Sequence, residues 1–90
     1  MKTTVIIRHR VADFATWKAG FDAAAQFRAS AGMSSHQVFS SQADPQQVVL
    51  FLEFESRQKA EAHLSDPQLA ARMRELGVLE VPQVDYVNVH

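Results

Sequence analysis

The sequence predicts an α+β fold of the ferredoxin-like, split βαβ kind. Its elements run β-α-β-β-α-α-β, and the antiparallel sheet takes the strand order 4-1-3-2 with the helices on one face. Three observations carry this. Stretches rich in β-branched and aromatic residues alternate with alanine-rich stretches bounded by caps and glycines. Strands two and three are joined by a tight turn, whereas the other links are helical. The 90 residues, 47% hydrophobic and 21% charged, amount to one globular domain spanning 1–90.

Thr3 to Val11 reads as the first strand. Asp13 is a good N-cap for an alanine-rich helix over Phe14 to Ala31, which Gly32 stops. Ser34 to Ser41 is a weaker, more polar strand, and Ala43-Asp44-Pro45-Gln46 is a turn. Gln47 to Phe54 is the strongest strand. Ser56 caps a short helix from Arg57 to Leu64. Asp66, followed by Pro67 in the first turn, caps another that runs to about Leu76 and stops at Gly77. Val78 to Pro82 is an irregular connection, and Gln83 to Val89 is the last strand.

Helices on one face leave the other face of the sheet in water, where strands should alternate apolar and polar. They do not. Val48, Leu50, Leu52 and Phe54 point one way, yet Val49 and Phe51 point the other, joined there by Ile6. So large an apolar patch is rare on a monomer. A second copy, sheet against sheet about a two-fold axis, is the expected cover.

Composition excludes several classes of function. Nine Lys+Arg against ten Asp+Glu leave a net charge of −1, no footprint for nucleic acid or an anionic membrane. No cysteine is present, so disulfides, thiolate metal sites and a cysteine nucleophile are out. The longest apolar run, Val48 to Leu52, is far too short to span a membrane. With no signal-peptide pattern at the start, a cytoplasmic protein is expected. The glycines at 20, 32 and 77 cannot form GxGxxG or a P-loop, which removes a nucleotide cofactor held by a glycine-rich turn. No HxH, HxxxH or HxxE spacing occurs, so no metal is expected.

Chemistry is expected between helix and sheet. Trp17, Phe21, Ala24 and Arg28 form a stripe at helical spacing, with Gly20 beside it. Arg28 interrupts an apolar face, where it either snorkels to the helix end or enters a pocket wall. Gly20 is unfavourable in a helix interior, which close approach to the sheet or room for a ligand would explain. His9 shares a strand face with Val5, Ile7 and Val11. The start of strand four runs beside it, which makes Tyr86 a candidate neighbour. Two aromatics, Trp17 and Phe21, can hold a flat compound. His9 can move a proton, and Tyr86 and Arg28 can stabilise an oxyanion. His36, on an edge strand, is a further candidate for substrate binding. The alternative is that these side chains are core and His9 is satisfied by a backbone carbonyl.

The stretch Arg8 to Asp22 (RHRVADFATWKAGFD) resembles the opening of small bacterial proteins of the dimeric α+β barrel superfamily, those called antibiotic-biosynthesis-monooxygenase-like or cyclase-like. Asp44-Pro45 with Val48 to Glu55, Ala60 with Ser65 to Leu69, and Gly77-Val78-Leu79 before Pro82 are similar as well. The resemblance implies the fold and a homodimer. It also implies a cofactor-independent oxygenase or cyclase acting on a flat aromatic or polyketide-like compound, with His9 as acid/base. Haem-degrading relatives carry a tryptophan on the second helical region. Here the sole tryptophan is Trp17, so no cofactor is expected. A non-catalytic carrier of a hydrophobic ligand, or a dimerising scaffold, remain the alternatives.

Overall fold

In the computed structural model, which describes residues 1–90, eight elements follow one another. They are β1 (Thr3–Arg10), α1 (Phe14–Ala23), α2 (Ala25–Ser30), β2 (Met33–Ser40), β3 (Gln47–Phe54), α3 (Arg57–Leu64), α4 (Pro67–Glu75) and β4 (Gln83–Val87). The sheet order is β2-β3-β1-β4, the expected order read from its other edge, and every pairing is antiparallel. Each expected cap is in place. Asp13 accepts from the Thr16 amide, Ser56 from the Lys59 amide, and Asp66 from the Gln68 amide ahead of Pro67. Gly32 and Gly77 adopt φ of +91° and +82°, a left-handed conformation that favours glycine.

The helix expected over Phe14 to Ala31 is two helices, broken at Ala24. The run Ala23-Ala24-Ala25 holds no helix breaker. The interruption coincides with a tertiary contact, because the Arg28 guanidinium turns back to donate to the Phe21 carbonyl. Local propensity does not encode that. The connection after α4 is also better tied than expected: Val78 bridges to Val11, Leu79 N–H donates to the Arg10 carbonyl and Ala12 N–H to the Gly77 carbonyl. The last strand ends at Val87, where its pairing with Thr4 ends, not at Val89.

One face of the sheet makes the core. Val5, Ile7, Val11, Val48, Leu50, Leu52 and Phe54 are buried there with Trp17, Phe21 and Ala60. α4 contributes no buried residue. Leu69, Met73 and Leu76 lie at helical spacing along it, and the gap they border is the cavity described below. No helix is long and apolar enough to cross a membrane.

Gly20 is explained by α4 and not by the sheet. A Cβ there would collide with the isopropyl end of Leu76, which packs against the bare helix backbone. Two effects then oppose each other in Gly20→Ala: a gain of about 1 kcal/mol in helix propensity, and the overpacking of Leu76, at ~1–3 kcal/mol. The substitution is expected to destabilise the native chain and to stabilise a Leu76→Ala background. Urea unfolding of the four proteins in this cycle measures it. The same sign in both backgrounds would show that Leu76 is not what keeps residue 20 small.

Candidate functional site

β1 brings His9 to the inner face of the sheet by the simple alternation that buries Val5 and Ile7. α1, begun by its Asp13 cap, lays Trp17 and Phe21 over it one turn apart. The His9 and Trp17 rings meet edge-on at 5.4 Å, and Trp17 stacks on Phe21 at 5.1 Å. From α2, the Arg28 guanidinium lies 3.7 Å over the Phe21 ring. His36, across the sheet edge on β2, meets Phe21 edge-on at 5.3 Å. His9, Trp17, Phe21 and Arg28 are thus one continuous wall.

That wall borders a cavity of about 530 Å³ between the inner sheet face and the helices, with α4 on its far side. Of the 22 residues around it, 15 are hydrophobic, which suits an apolar ligand of drug-like size. The polar exceptions are informative. His9 is only 2% exposed, and no group of the chain hydrogen-bonds its ring. Its Nδ1 is sealed from solvent without a partner. Burial pushes the His9 pKa below the ordinary histidine value, opposed in part by the Glu80 charge, so the imidazole is neutral at pH 7. Arg28 is 7% exposed and has no carboxylate partner. His63, on α3, is buried between the Phe27 and Phe54 rings and lines the same space. Its pKa is also lowered, chiefly by burial, with Asp66 opposing and Arg28 adding to the drop. No three His, Asp or Glu side chains converge as a metal site would need.

No family model and no curated protein sequence matches the chain. Solved structures do. SnoaB, a cofactor-independent oxygenase from Streptomyces nogalater, is 16% identical with a TM-score of 0.78, over 99% of this chain and 93% of that one. An antibiotic-biosynthesis-monooxygenase-like protein from Bordetella bronchiseptica is 18% identical with a TM-score of 0.84, over 99% and 97% of the two chains. A third, from Caulobacter crescentus, is 18% identical with a TM-score of 0.76, over 99% and 90%. The chain has the antibiotic-biosynthesis-monooxygenase fold. At these identities the likeness speaks for the fold alone.

Within this monooxygenase-type fold the expected site residues divide. His9, Trp17, Phe21 and Arg28 come together on the cavity wall. His36 is exposed at its edge, touching Phe21 but outside the lining. Burial against that ring and the nearby Arg28 charge both hold its pKa down, with Lys18 adding a little and Asp22 opposing. Tyr86 is set apart, which corrects its expected place beside His9. The register opposes Tyr86 to Val5 and Val84 to Ile7. That puts Tyr86 roughly 13 Å along the strand from His9, at ~3.3 Å per residue. Its ring lies under Arg57, 4.2 Å from the guanidinium carbon. Val84, opposite Ile7, is the β4 residue that lines the cavity. Arg28 does not snorkel: it folds inward over Phe21. His63 was legible only as the partner of Ala60 and Leu64 at helical spacing, a stripe that marks the buried side of α3.

Proposed function

We propose that the chain is a cytoplasmic, homodimeric small-molecule enzyme that takes a flat hydrophobic or aromatic compound into the helix–sheet cavity. Proton transfer at His9 would begin a cofactor-free oxygenation or cyclisation. The cavity carries this reading: a roomy apolar space bordered by a neutral imidazole whose Nδ1 has no hydrogen-bond partner and by a guanidinium without a carboxylate partner. Trp17 and Phe21 supply the flat wall. Arg28, which lines the cavity where Tyr86 does not, would offer its positive charge to a negatively charged group of the bound compound. No carboxylate hydrogen-bonds the His9 ring from behind, so an imidazolium there has no direct counter-ion. Such a base removes only protons that are already acidic, as in phenols and methylenes flanked by carbonyl groups. Electron-rich phenolic or polyketide-like compounds fit that restriction.

The same missing carboxylate favours a second reading, carriage of the ligand without turnover. One experiment separates the two. The purified dimer, without added metal or flavin, is offered a panel of polycyclic phenols and quinols in aerated buffer, followed by oxygen uptake and product mass. Turnover of at least one compound is expected. His9→Ala should lower it by about 10²-fold or more, the usual contribution of a general acid or base. Trp17→Phe should raise KM. Binding with unchanged ligand mass throughout would leave the carrier. Turnover indifferent to both substitutions would place the chemistry elsewhere.

The homodimer rests on the outer sheet face. Phe39 and Phe51 are 44% and 40% exposed there, with rings 5.3 Å apart, and Ile6 and Val49 adjoin them. Polar groups flank the patch, among them the Lys2–Glu53 ion pair.

A further inference from the structure

We infer that the ligand of the cavity is an aromatic or otherwise flat apolar acid whose carboxylate is held by Arg28. This rests on the reading of the cavity as an open ligand site and goes further by fixing the ligand's charge.

The inference starts from an arginine in an unusual position. Arg28 is 93% buried by its 7% exposure, and it lines a space that is otherwise mostly hydrophobic. A guanidinium carries five N–H donors. Within the chain the only acceptor it meets is the Phe21 carbonyl, and its one other polar interaction is with the face of the Phe21 ring. Both are favourable, yet neither neutralises a charge. The acidic residue whose field reaches it, Asp22, gives both carboxylate oxygens to Lys18 at 2.8 Å. The other titratable groups that feel its charge are His36 and His63, neither of which can supply negative charge. Buried charges are ordinarily paired, because removing a counter-ion leaves an uncompensated charge in a poor solvent. Here the counter-ion is missing, and the open side of the guanidinium is the cavity.

The chemistry of that counter-ion follows. Two guanidinium groups, Arg28 and Arg72, and one carboxylate, Glu75, are in the lining, and Arg72 lies over the Phe27 ring. The net of one positive charge balances one negative charge, which argues against a phosphate dianion and its demand for many donors. A planar carboxylate matches the guanidinium fork in a bidentate pair. The rest of the ligand must then lie along Phe21 and Trp17 toward His9, so it is flat and apolar with a hydrogen-bonding group at its far end.

The test compares a carboxylate with its neutral isostere on the intact protein. Calorimetric titration with 1-naphthoate and with 1-naphthamide at pH 7.5 is expected to give a Kd at least tenfold lower for the acid. Arg28→Met should bring the two within about twofold of each other, and Arg28→Lys should keep part of the preference. Equal binding of acid and amide to the native protein overturns the inference while leaving the ligand-site reading intact, as does a preference that survives in Arg28→Met. If neither compound binds, the open cavity itself is refuted and the inference falls with it. Should Arg28→Met fail to fold, the comparison on the native protein decides alone.

Discussion

Phe51→Lys is expected to convert the proposed dimer into a 10.1 kDa monomer at micromolar concentration. Phe51 stands at the centre of the outer face, opposite Ile6 on β1 and Gln37 on β2, with its ring against Phe39. In a two-fold interface each substitution occurs twice. Two ammonium groups would then face each other in a desolvated patch, at several kcal/mol each without a partner. The dissociation constant should rise by more than about 10²-fold, since every 1.4 kcal/mol is a factor of ten. Folding of the single chain should hardly change. Phe51 is 40% exposed and its neighbours on that face pack it from the side only, so the loss belongs to association and not to the core. Sedimentation velocity across a concentration series, with circular dichroism as the folding control, separates the two effects. A native chain that sediments as a monomer, or a Phe51→Lys variant that stays dimeric, would remove the second copy from this face.

That patch was legible because strand alternation is a local property. Val49 and Phe51 break the expected alternation of β3 whatever the strand pairs with. The inner position of His9 was legible for the same reason, and so were the caps Asp13, Ser56 and Asp66, each of which satisfies its own helix within three residues. What escaped depends on relations between elements. Tyr86 was misplaced because the face of β4 is set by alternation but its position along β1 is set by register, a relation between two strands that neither strand's own sequence states. The helix break at Ala24 goes with an arginine five residues beyond the end of α1, whose side chain folds back onto the Phe21 carbonyl. Gly20 signalled a close approach, but the chain could not say that α4 makes it. The openness of the cavity was hardest to see. The stripe of Leu69, Met73 and Leu76 looks like any core-facing helix side, and only the assembled structure has these residues bordering empty space.

Acidification is expected to destabilise the protein through its buried histidines, with His9 as the informative one. Burial holds the folded-state pKa of His9 below the ordinary value near 6.5, and Glu80 offsets only part of this. The sign follows from proton binding. Between the lowered folded pKa and about 6.5 the unfolded chain binds more protons than the folded one, so stability rises with pH in that window. The stabilisation is complete above the unfolded value and is lost as the pH falls from there toward the folded value. While it titrates, such a group tilts the stability by at most about 1.4 kcal/mol per pH unit. His63, lowered in the same direction, contributes in the same window. Urea unfolding from pH 7.5 to 5 should therefore show a falling midpoint, and His9→Leu should flatten part of that fall while His63 retains the rest. An unchanged slope in His9→Leu would mean that the imidazole charges freely in the folded state. The same proton links stability to chemistry. If His9 is the acid or base of the reaction, kcat/KM should rise with pH through the window in which the free protein loses that proton, and a ligand should shift the midpoint. A histidine that was merely packed would move the unfolding curve and leave the rate profile flat. Agreement between the two pH profiles is what distinguishes a working imidazole from a buried one.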